Sequence, residues 1–276
     1  MKNRSGTVSF LYASVLGRLL LKLIMGLRLD RIAVAFLRSP LSKPVIAPFA
    51  RRNNIPLTAE QLASFRSYRD FFVRGSGCTD FDREPEHLIS PCDGWLSAFP
   101  VDEDSCFSIK SSHYRVTDFL QDRELASKYT GGCCLVFRLC VSNYHHYCYI
   151  DNGWQGKNHF IPGMLHSVQP IACETCPVFV LNRRSWCLME TEHFGGVVQC
   201  EIGALVVGGI VNEKENARFT RGEEKGRFEL SGSTIVLLFE PGQIELRREI
   251  LDKLSLTDEV QVKQGEWIGC SKLALQ

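Results

Sequence analysis

The chain has 276 residues, of which 45% are hydrophobic and 23% are charged, so it is too apolar for a disordered protein and too long for a small disulfide-stapled one. Its 32 basic and 31 acidic residues leave a net charge of +1, which gives no basic surface for wrapping nucleic acid. The first residues contain no signal-peptide pattern, so we expect a reducing compartment in which the 12 cysteines are free thiols.

The segment from Val8 to Phe36 is dense in large apolar residues, and its charges before Asp30 are all cations. Arg18 and Lys22 are four residues apart on one stripe of a predicted helix, with leucines on the opposite side. Cations near the middle argue against a spanning helix. Two interpretations stay open: an interfacial helix whose cations, with Arg28, contact anionic head groups, and an amphipathic helix packed on the core.

A second helix is predicted from Thr58 to Phe72, because Thr58 and Gln61 have the spacing of a capping box and Gly75 follows as a breaker. From about Leu88 onward, short apolar runs alternate with turn residues, which is typical of strands. Strands are predicted at Cys133 to Val141, Val178 to Leu181, Gly196 to Val211 and Thr234 to Phe239, with a short helix near Thr117 to Leu120.

These elements predict an α+β fold in two parts. Residues 1–75 form an N-terminal helical region with amphipathic helices that associates with a membrane, and residues 76–276 form a mainly antiparallel β domain that carries the chemistry.

The run from Phe228 to Phe239 holds two strand-like pieces around Ser-Gly-Ser-Thr. Alone, this pattern predicts a tight hairpin in which Gly232 takes an unusual backbone conformation. It also permits chemistry, since the Ser233 hydroxyl can attack the Gly232 carbonyl carbon and turn the amide into an ester if a base removes the hydroxyl proton.

Two further segments hold candidate acid–base residues. His145 and His146 are adjacent in a strand-like run, so they face opposite sides, and one could be a base while the other is solvated. Asp93 lies in a Ser-Pro-Cys-Asp-Gly turn, where it would most simply accept hydrogen bonds from backbone amides. Together with Ser233, these segments supply a nucleophile, a base and an orienting carboxylate.

In this order the motifs resemble those of the phosphatidylserine decarboxylase family, and the likeness runs from about Phe71 to the C-terminus. The matching segments are Phe71-Phe72-Val73-Arg74, Ser90-Pro91-Cys92-Asp93-Gly94, Tyr144-His145, Ile161-Pro162-Gly163 with His166-Ser167-Val168, Val206-Val207-Gly208-Gly209-Ile210, Glu224-Lys225-Gly226-Arg227-Phe228 and Gly232-Ser233-Thr234.

Members of that family are proenzymes that cut themselves. The resemblance implies that Ser233 attacks Gly232, with His145 as the base and Asp93 as the residue that orients it, in the logic of a Ser-His-Asp triad. Cleavage would give a β chain of residues 1–232 and an α chain of residues 233–276.

The resemblance further implies that Ser233 becomes a covalent pyruvoyl group, the cofactor of the family. Its carbonyl would form a Schiff base with the amine of phosphatidylserine and accept the electron pair released as carbon dioxide leaves, giving phosphatidylethanolamine. The implied partners are phosphatidylserine, an anionic membrane surface and the two chains themselves, with no nucleic acid. The implied location is peripheral, at the cytoplasmic face of the cell membrane.

The sequence departs from the common family pattern at one place. Many members read Tyr-His-Arg-x-His, and the later histidine is usually assigned to self-cleavage, but Cys148 stands at that position here. Either His145 is the base, which we favour, or Cys148 acts as a thiolate with a lowered pKa. Cys173 and Cys176 form a Cys-x-x-Cys pair, but without a matching second pair we expect free thiols and no metal.

Other functions stay open on the sequence. They are a pyruvoyl-dependent decarboxylase of a free amino acid or of an archaeal-type serine lipid, a non-enzymatic lipid-binding protein, and a Cys-His hydrolase built on Cys148 and His145. The cationic apolar N-terminal segment favours a lipid substrate, and the intact Gly232-Ser233-Thr234 motif favours an enzyme.

Overall fold

This computed structural model describes residues 10–11, 14, 16–17, 19–20, 29–75, 78, 80–104, 106–109, 112–164, 166–167, 172, 177–204, 209–230 and 233–272. Most of the predicted helix between Val8 and Phe36, including Arg18, Lys22 and Arg28, lies outside these residues, as do Gly232 and the Cys173–Cys176 pair.

The N-terminal part is helical, as predicted. Its elements are α1 (Leu29–Arg38), a 3-10 turn (Pro40–Ser42), α2 (Lys43–Arg52), α3 (Ala59–Ser64) and α4 (Tyr68–Phe72). They pack around a small apolar cluster of their own, which contains Ile46, Phe71 and Phe72 and also takes in Leu230 from the β-rich part of the chain. The helical region therefore contacts the residues just before the Gly232–Ser233 bond.

The single helix predicted from Thr58 to Phe72 is wrong, although its capping box is confirmed. Thr58 Oγ1 accepts a hydrogen bond from the Gln61 amide, and the Gln61 side chain accepts one from the Thr58 amide. The helix ends at Ser64, because the Ser67 side chain caps a second helix by accepting from the Asp70 amide. Serine and aspartate side chains that bind the backbone favour such a restart over a continuous helix.

The rest of the chain is mainly antiparallel β-structure, which confirms the α+β prediction. The strands are β1 (His87–Ile89), β2 (Gly94–Pro100), β3 (Cys106–Ile109), β4 (Ser112–Arg115), β5 (Cys133–Leu139), β6 (His146–Cys148), β7 (Gly153–Gln155), β8 (His159–Ile161), β9 (Arg184–Thr191), β10 (Gly196–Ile202), β11 (Gly209–Asn212), β12 (Ala217–Phe219), β13 (Glu224–Glu229), β14 (Ser233–Phe239), β15 (Ile244–Leu246), β16 (Val260–Val262) and β17 (Trp267–Ser271). The helices between them are α5 (Val116–Leu120), α6 (Arg123–Ser127), α7 (Val178–Leu181) and α8 (Arg248–Leu256).

A nine-stranded sheet forms the centre, in the order β12-β7-β9-β10-β14-β5-β2-β16, with β8 beside β9. Smaller sheets of order β11-β13-β6 and β1-β17-β15 and a β3-β4 hairpin complete the fold. Every residue of β14 is buried, since Val236 and Leu238 pack into one apolar cluster while Ile235, Leu237 and Phe239 pack into another on the opposite face. This strand therefore lies in the middle of the core.

Two predicted strands need correction. Val178–Leu181 is one helical turn, in which the Asn182 amide donates to the Val178 carbonyl at 2.8 Å. The buried Asn182 side chain also bonds the carbonyls of His166 and Gly203, and these tertiary contacts override the β propensity of the apolar run. The run from Gly196 to Val211 is divided into β10 and β11, whereas the helix near Thr117 is confirmed as α5.

The hairpin predicted around Gly232 is also wrong. β13 pairs with β11 and β6, whereas β14 pairs with β10 and β5 in the large sheet. Because both edges of β14 are occupied, β13 has no place beside it, and the two strands lie in different sheets. Leu230, the residue that follows β13, has a left-handed backbone, φ 61°.

Candidate active site

Ser233 is the first residue of β14, a central strand of the large sheet. It lies opposite Leu139 of β5 and is 1% exposed. Among the described residues its Oγ has no hydrogen-bond partner. A buried hydroxyl normally finds such a partner, so this arrangement is unusual for a serine.

Asp93 lies just before β2, on the other side of β5 from Ser233. Trp95, Arg138 and Thr234 stand in register across three neighbouring strands, which spans two strand spacings, about 10 Å. Asp93 and Ser233 both precede this row, so they lie at the same end of the strands. The half-buried carboxylate accepts the Gln264 amide at 2.9 Å, which matches the backbone contact expected of this turn.

His145 is held between the end of β5 and the segment that leads to Ser233. It is completely buried, its ring packs on Phe72 with centroids 4.2 Å apart, and its carbonyl accepts the Phe228 amide at 2.9 Å. Nδ1 lies 2.9 Å from the Asn143 carbonyl oxygen. Because a carbonyl only accepts, Nδ1 carries the proton, and Nε2 is the basic nitrogen of the ring.

His146 is not solvated, contrary to the prediction for the second histidine. It is 6% exposed and stacks on Tyr144. Nδ1 is 2.8 Å from a Glu224 carboxylate oxygen and Nε2 is 3.1 Å from the Val73 carbonyl. Both ring nitrogens of His146 thus have a hydrogen-bonding partner within the protein.

Cys148 is buried in an environment that keeps its thiol neutral. Its pKa is raised well above the ordinary value, first by a hydrogen bond with the Cys78 thiol and then by burial. A thiol that resists ionisation is a poor base at neutral pH. Of the two candidates for the base, His145 is the one whose environment suits the role.

Comparison with known proteins identifies the family. The sequence profile described as phosphatidylserine decarboxylase matches residues 69–270.

This chain belongs to the phosphatidylserine decarboxylase family.

It is 39% identical over 269 residues to phosphatidylserine decarboxylase proenzyme 2 of Clostridium acetobutylicum, which covers 96% of this chain and 92% of that protein. The phosphatidylserine decarboxylase proenzyme of Clostridium beijerinckii is 35% identical, with 96% and 93% covered, and that of Desulfitobacterium hafniense is 33% identical, with 95% and 91% covered. The likeness to family members thus includes most of the N-terminal helical region.

A buried ion pair that the sequence did not reveal lies on the same face of the sheet as Ser233. Glu201 stands opposite Ile235, two residues beyond Ser233, and the Lys225 ammonium is 2.7 Å from its carboxylate. Neither side chain is exposed, and Asn212 and Gln199 also bond Glu201. The only sequence signal was the presence of charged residues within strand-like runs.

The helical region carries an apolar and cationic outer surface. On α1, Val34 and Leu37 face the small apolar cluster, whereas Ile32 and Phe36 point outward. Leu41 in the following 3-10 turn is 78% exposed. Within the described ranges, we find no helix with the length and apolar character needed to cross a membrane.

Proposed function

We propose that this protein is a pyruvoyl-dependent phosphatidylserine decarboxylase that matures by cutting itself between Gly232 and Ser233. The observation that carries the proposal is Ser233 itself, a buried serine with no hydrogen-bond partner among the described residues, at the family's Gly-Ser-Thr motif. Membership of a family whose relatives are named proenzymes supports the maturation step.

In the first step Ser233 Oγ bonds to the Gly232 carbonyl carbon. His145 Nε2 takes the hydroxyl proton and returns one to the departing backbone nitrogen, so that the C–N bond breaks and an ester forms. The Asn143 carbonyl orients the His145 ring by accepting from Nδ1. The resemblance assigns the orienting carboxylate to Asp93, whose described hydrogen bond is from the Gln264 amide. Loss of the Ser233 α-proton then breaks the ester, leaving residues 1–232 with a free carboxylate, and hydrolysis of the dehydroalanine at position 233 releases ammonia.

The surroundings of Ser233 suit the pyruvoyl group that results. Ser233 is almost fully buried, and no side-chain hydrogen bond among the described residues is lost when the hydroxyl becomes a carbonyl. When formed, the group supplies a conjugated carbonyl that accepts the electron pair freed as carbon dioxide leaves. The protein excludes water around it with Leu139 and the other apolar residues of this face.

We assign membrane docking to residues 1–75 and the chemistry to residues 76–276. Residues 31–52 contain five cations and no acidic residue: Arg31, Arg38, Lys43, Arg51 and Arg52. Exposed apolar side chains lie among them, namely Ile32, Phe36, Leu41 and Val45. Apolar groups in the acyl boundary and cations on anionic lipid suit a peripheral protein at the cytoplasmic face of the cell membrane, where its substrate is located.

Docking is tested by co-sedimentation with vesicles that contain phosphatidylserine. Leu41→Asp should weaken binding by about tenfold or more, because an inserted leucine contributes roughly 1.5–3 kcal/mol. Leu256→Asp, at an 85% exposed leucine on α8, is the matched control and should bind normally. If both variants bind as the wild type does, α1 and the following 3-10 turn are not part of the docking surface.

Maturation is tested by the intact mass of the purified protein. The wild type should give two chains, 1–232 and 233–276, the smaller without a free amine, and should release labelled carbon dioxide from carboxyl-labelled phosphatidylserine. Ser233→Ala should stay one inactive chain, whereas Ser97→Ala, a buried serine on β2, should mature. A fully active protein that remains one chain would refute the proposal. Release of carbon dioxide from free serine, but not from the lipid, would show that the substrate is the amino acid.

A further inference from the structure

The residue that ends β13 is tied to two arginines of the helical region. Glu229 is 8% exposed, and Arg38 Nη2 of α1 lies 2.7 Å from its Oε2. Arg69 of α4 donates to the other carboxylate oxygen, Oε1. Burial alone would raise the pKa of Glu229, but its hydrogen bonds and charge interactions with both arginines lower it below the ordinary value. The carboxylate is therefore charged at neutral pH.

The same short helix, α4, also contacts the other parts of the maturation site. Phe72 packs against the His145 ring, and Phe71 and Phe72 share an apolar cluster with Leu230. Arg69 lies on this helix as well and fixes Glu229. One five-residue helix thus joins the proposed base to the strand end before the scissile bond.

The chain between these fixed points is short. Three residues, 230–232, lead from Glu229 to Ser233, and each spans at most about 3.6 Å. Leu230 already takes a left-handed conformation at φ 61°. Because the connection is this short, the position of Glu229 limits where the peptide bond before Ser233 can lie.

We propose that Glu229, clamped by Arg69 and Arg38, is a positioning residue that aligns the Gly232 carbonyl with the Ser233 hydroxyl for self-cleavage. The inference rests on the proposed maturation, and it adds a role for the helical region: α1 and α4 hold the carboxyl end of β13 while the bond is cut. Glu229 acts through the backbone and takes no part in proton transfer.

The test measures how fast newly made precursor converts to two chains. Cell-free synthesis supplies uncut full-length chain, and gel electrophoresis follows its conversion at fixed temperature. Glu229→Gln and Arg69→Met should each slow conversion on the order of tenfold to a hundredfold, the usual effect of misplacing a reacting group by about 1 Å. The double variant should be no slower than the slower single one, because both remove the same contact.

Two further variants separate positioning from general damage. Glu223→Gln is the matched control: this carboxylate lies at the other end of β13, forms an ion pair with Lys214 and also has a lowered pKa, despite the opposing effect of burial. It should convert at the wild-type rate. Arg69→Lys keeps the charge and should recover part of the rate that Arg69→Met loses. Thermal unfolding of each variant in the Ser233→Ala background reports any loss of fold.

The outcomes are distinct. If the wild type converts and Glu229→Gln converts equally fast, the positioning role is overturned while the proposed function stands. If Glu229→Gln is slow and also largely unfolded at the assay temperature in the uncut background, or if Arg69→Lys recovers none of the rate that Arg69→Met loses, the clamp is only structural and the inference fails. If the wild type itself never converts, the proposed function fails, and this inference fails because it rests on that function.

Discussion

Replacing Lys225 by methionine removes one partner of a fully buried ion pair. Both Lys225 and Glu201 are inaccessible to solvent, and their charged atoms are 2.7 Å apart. Burial lowers the pKa of Lys225, but Cys187 and Glu201 outweigh it and hold the pKa above its ordinary value. The lysine is therefore a cation at neutral pH, and methionine fills its volume without the charge.

The expected loss follows from the carboxylate that remains. Glu201 keeps hydrogen bonds from Gln199 and Asn212 but loses its counter-charge, and an uncompensated buried charge costs about 3–5 kcal/mol. At roughly 2–4 °C per kcal/mol for a chain of this size, Tm should fall by about 6–20 °C. Adding Glu201→Gln should restore much of this, since the double variant buries no charge.

The assay is thermal and denaturant unfolding, followed by circular dichroism in the uncut Ser233→Ala background so that every variant is one chain. Lys214→Met is the control, because the Lys214–Glu223 pair is partly exposed and such pairs contribute about 0–1 kcal/mol. A Lys225→Met protein whose free energy of unfolding lies within about 1 kcal/mol of its parent's would refute the argument, because Glu201 would then be buried without its counter-charge at little cost.

Three further results are expected. His145→Ala should leave the precursor uncut on a gel while Cys148→Ala matures, because Cys148 is held as a neutral thiol; the reverse pattern would make the cysteine the base. Thr58→Ala should cost about 1 kcal/mol in urea unfolding by removing the capping box, and an unchanged midpoint would contradict this. Glu229→Gln should be less stable than the wild type at pH 7. Because the folded-state pKa of Glu229 is lowered, that difference should shrink as pH falls below the ordinary value of 4.5, and a constant difference across this range would refute it.

Local chemistry in the sequence was enough to predict several features. The capping box at Thr58 and Gln61 involves residues three apart, so no distant partner is needed to form it. The apolar run from Thr234 to Phe239 predicted a strand, and the alternation of short apolar runs with turn residues predicted the α+β class. The Gly232-Ser233-Thr234 motif located the proposed nucleophile, since its chemistry belongs to adjacent residues.

Other features depended on partners far away in the chain. The segment around Gly232 has the pattern of a hairpin, but β5 and β10 occupy both edges of β14 and leave no place for β13. Likewise, Val178–Leu181 has strand propensity, yet the contacts of Asn182 hold it as a helical turn. Such outcomes depend on competition among distant segments, which a local pattern does not record.

The sequence by itself determined the candidate reactive residues, whereas the tertiary structure decided their environments. His145 and Cys148 are both fully buried, but the Cys78 thiol beside Cys148 raises its pKa, and that contact does not follow from spacing along the chain. The contact of Arg69 with Glu229 joins residues 160 positions apart. Charge, pKa and alignment depend on which groups share a dry interior, and that is fixed only when the sheets and helices pack together.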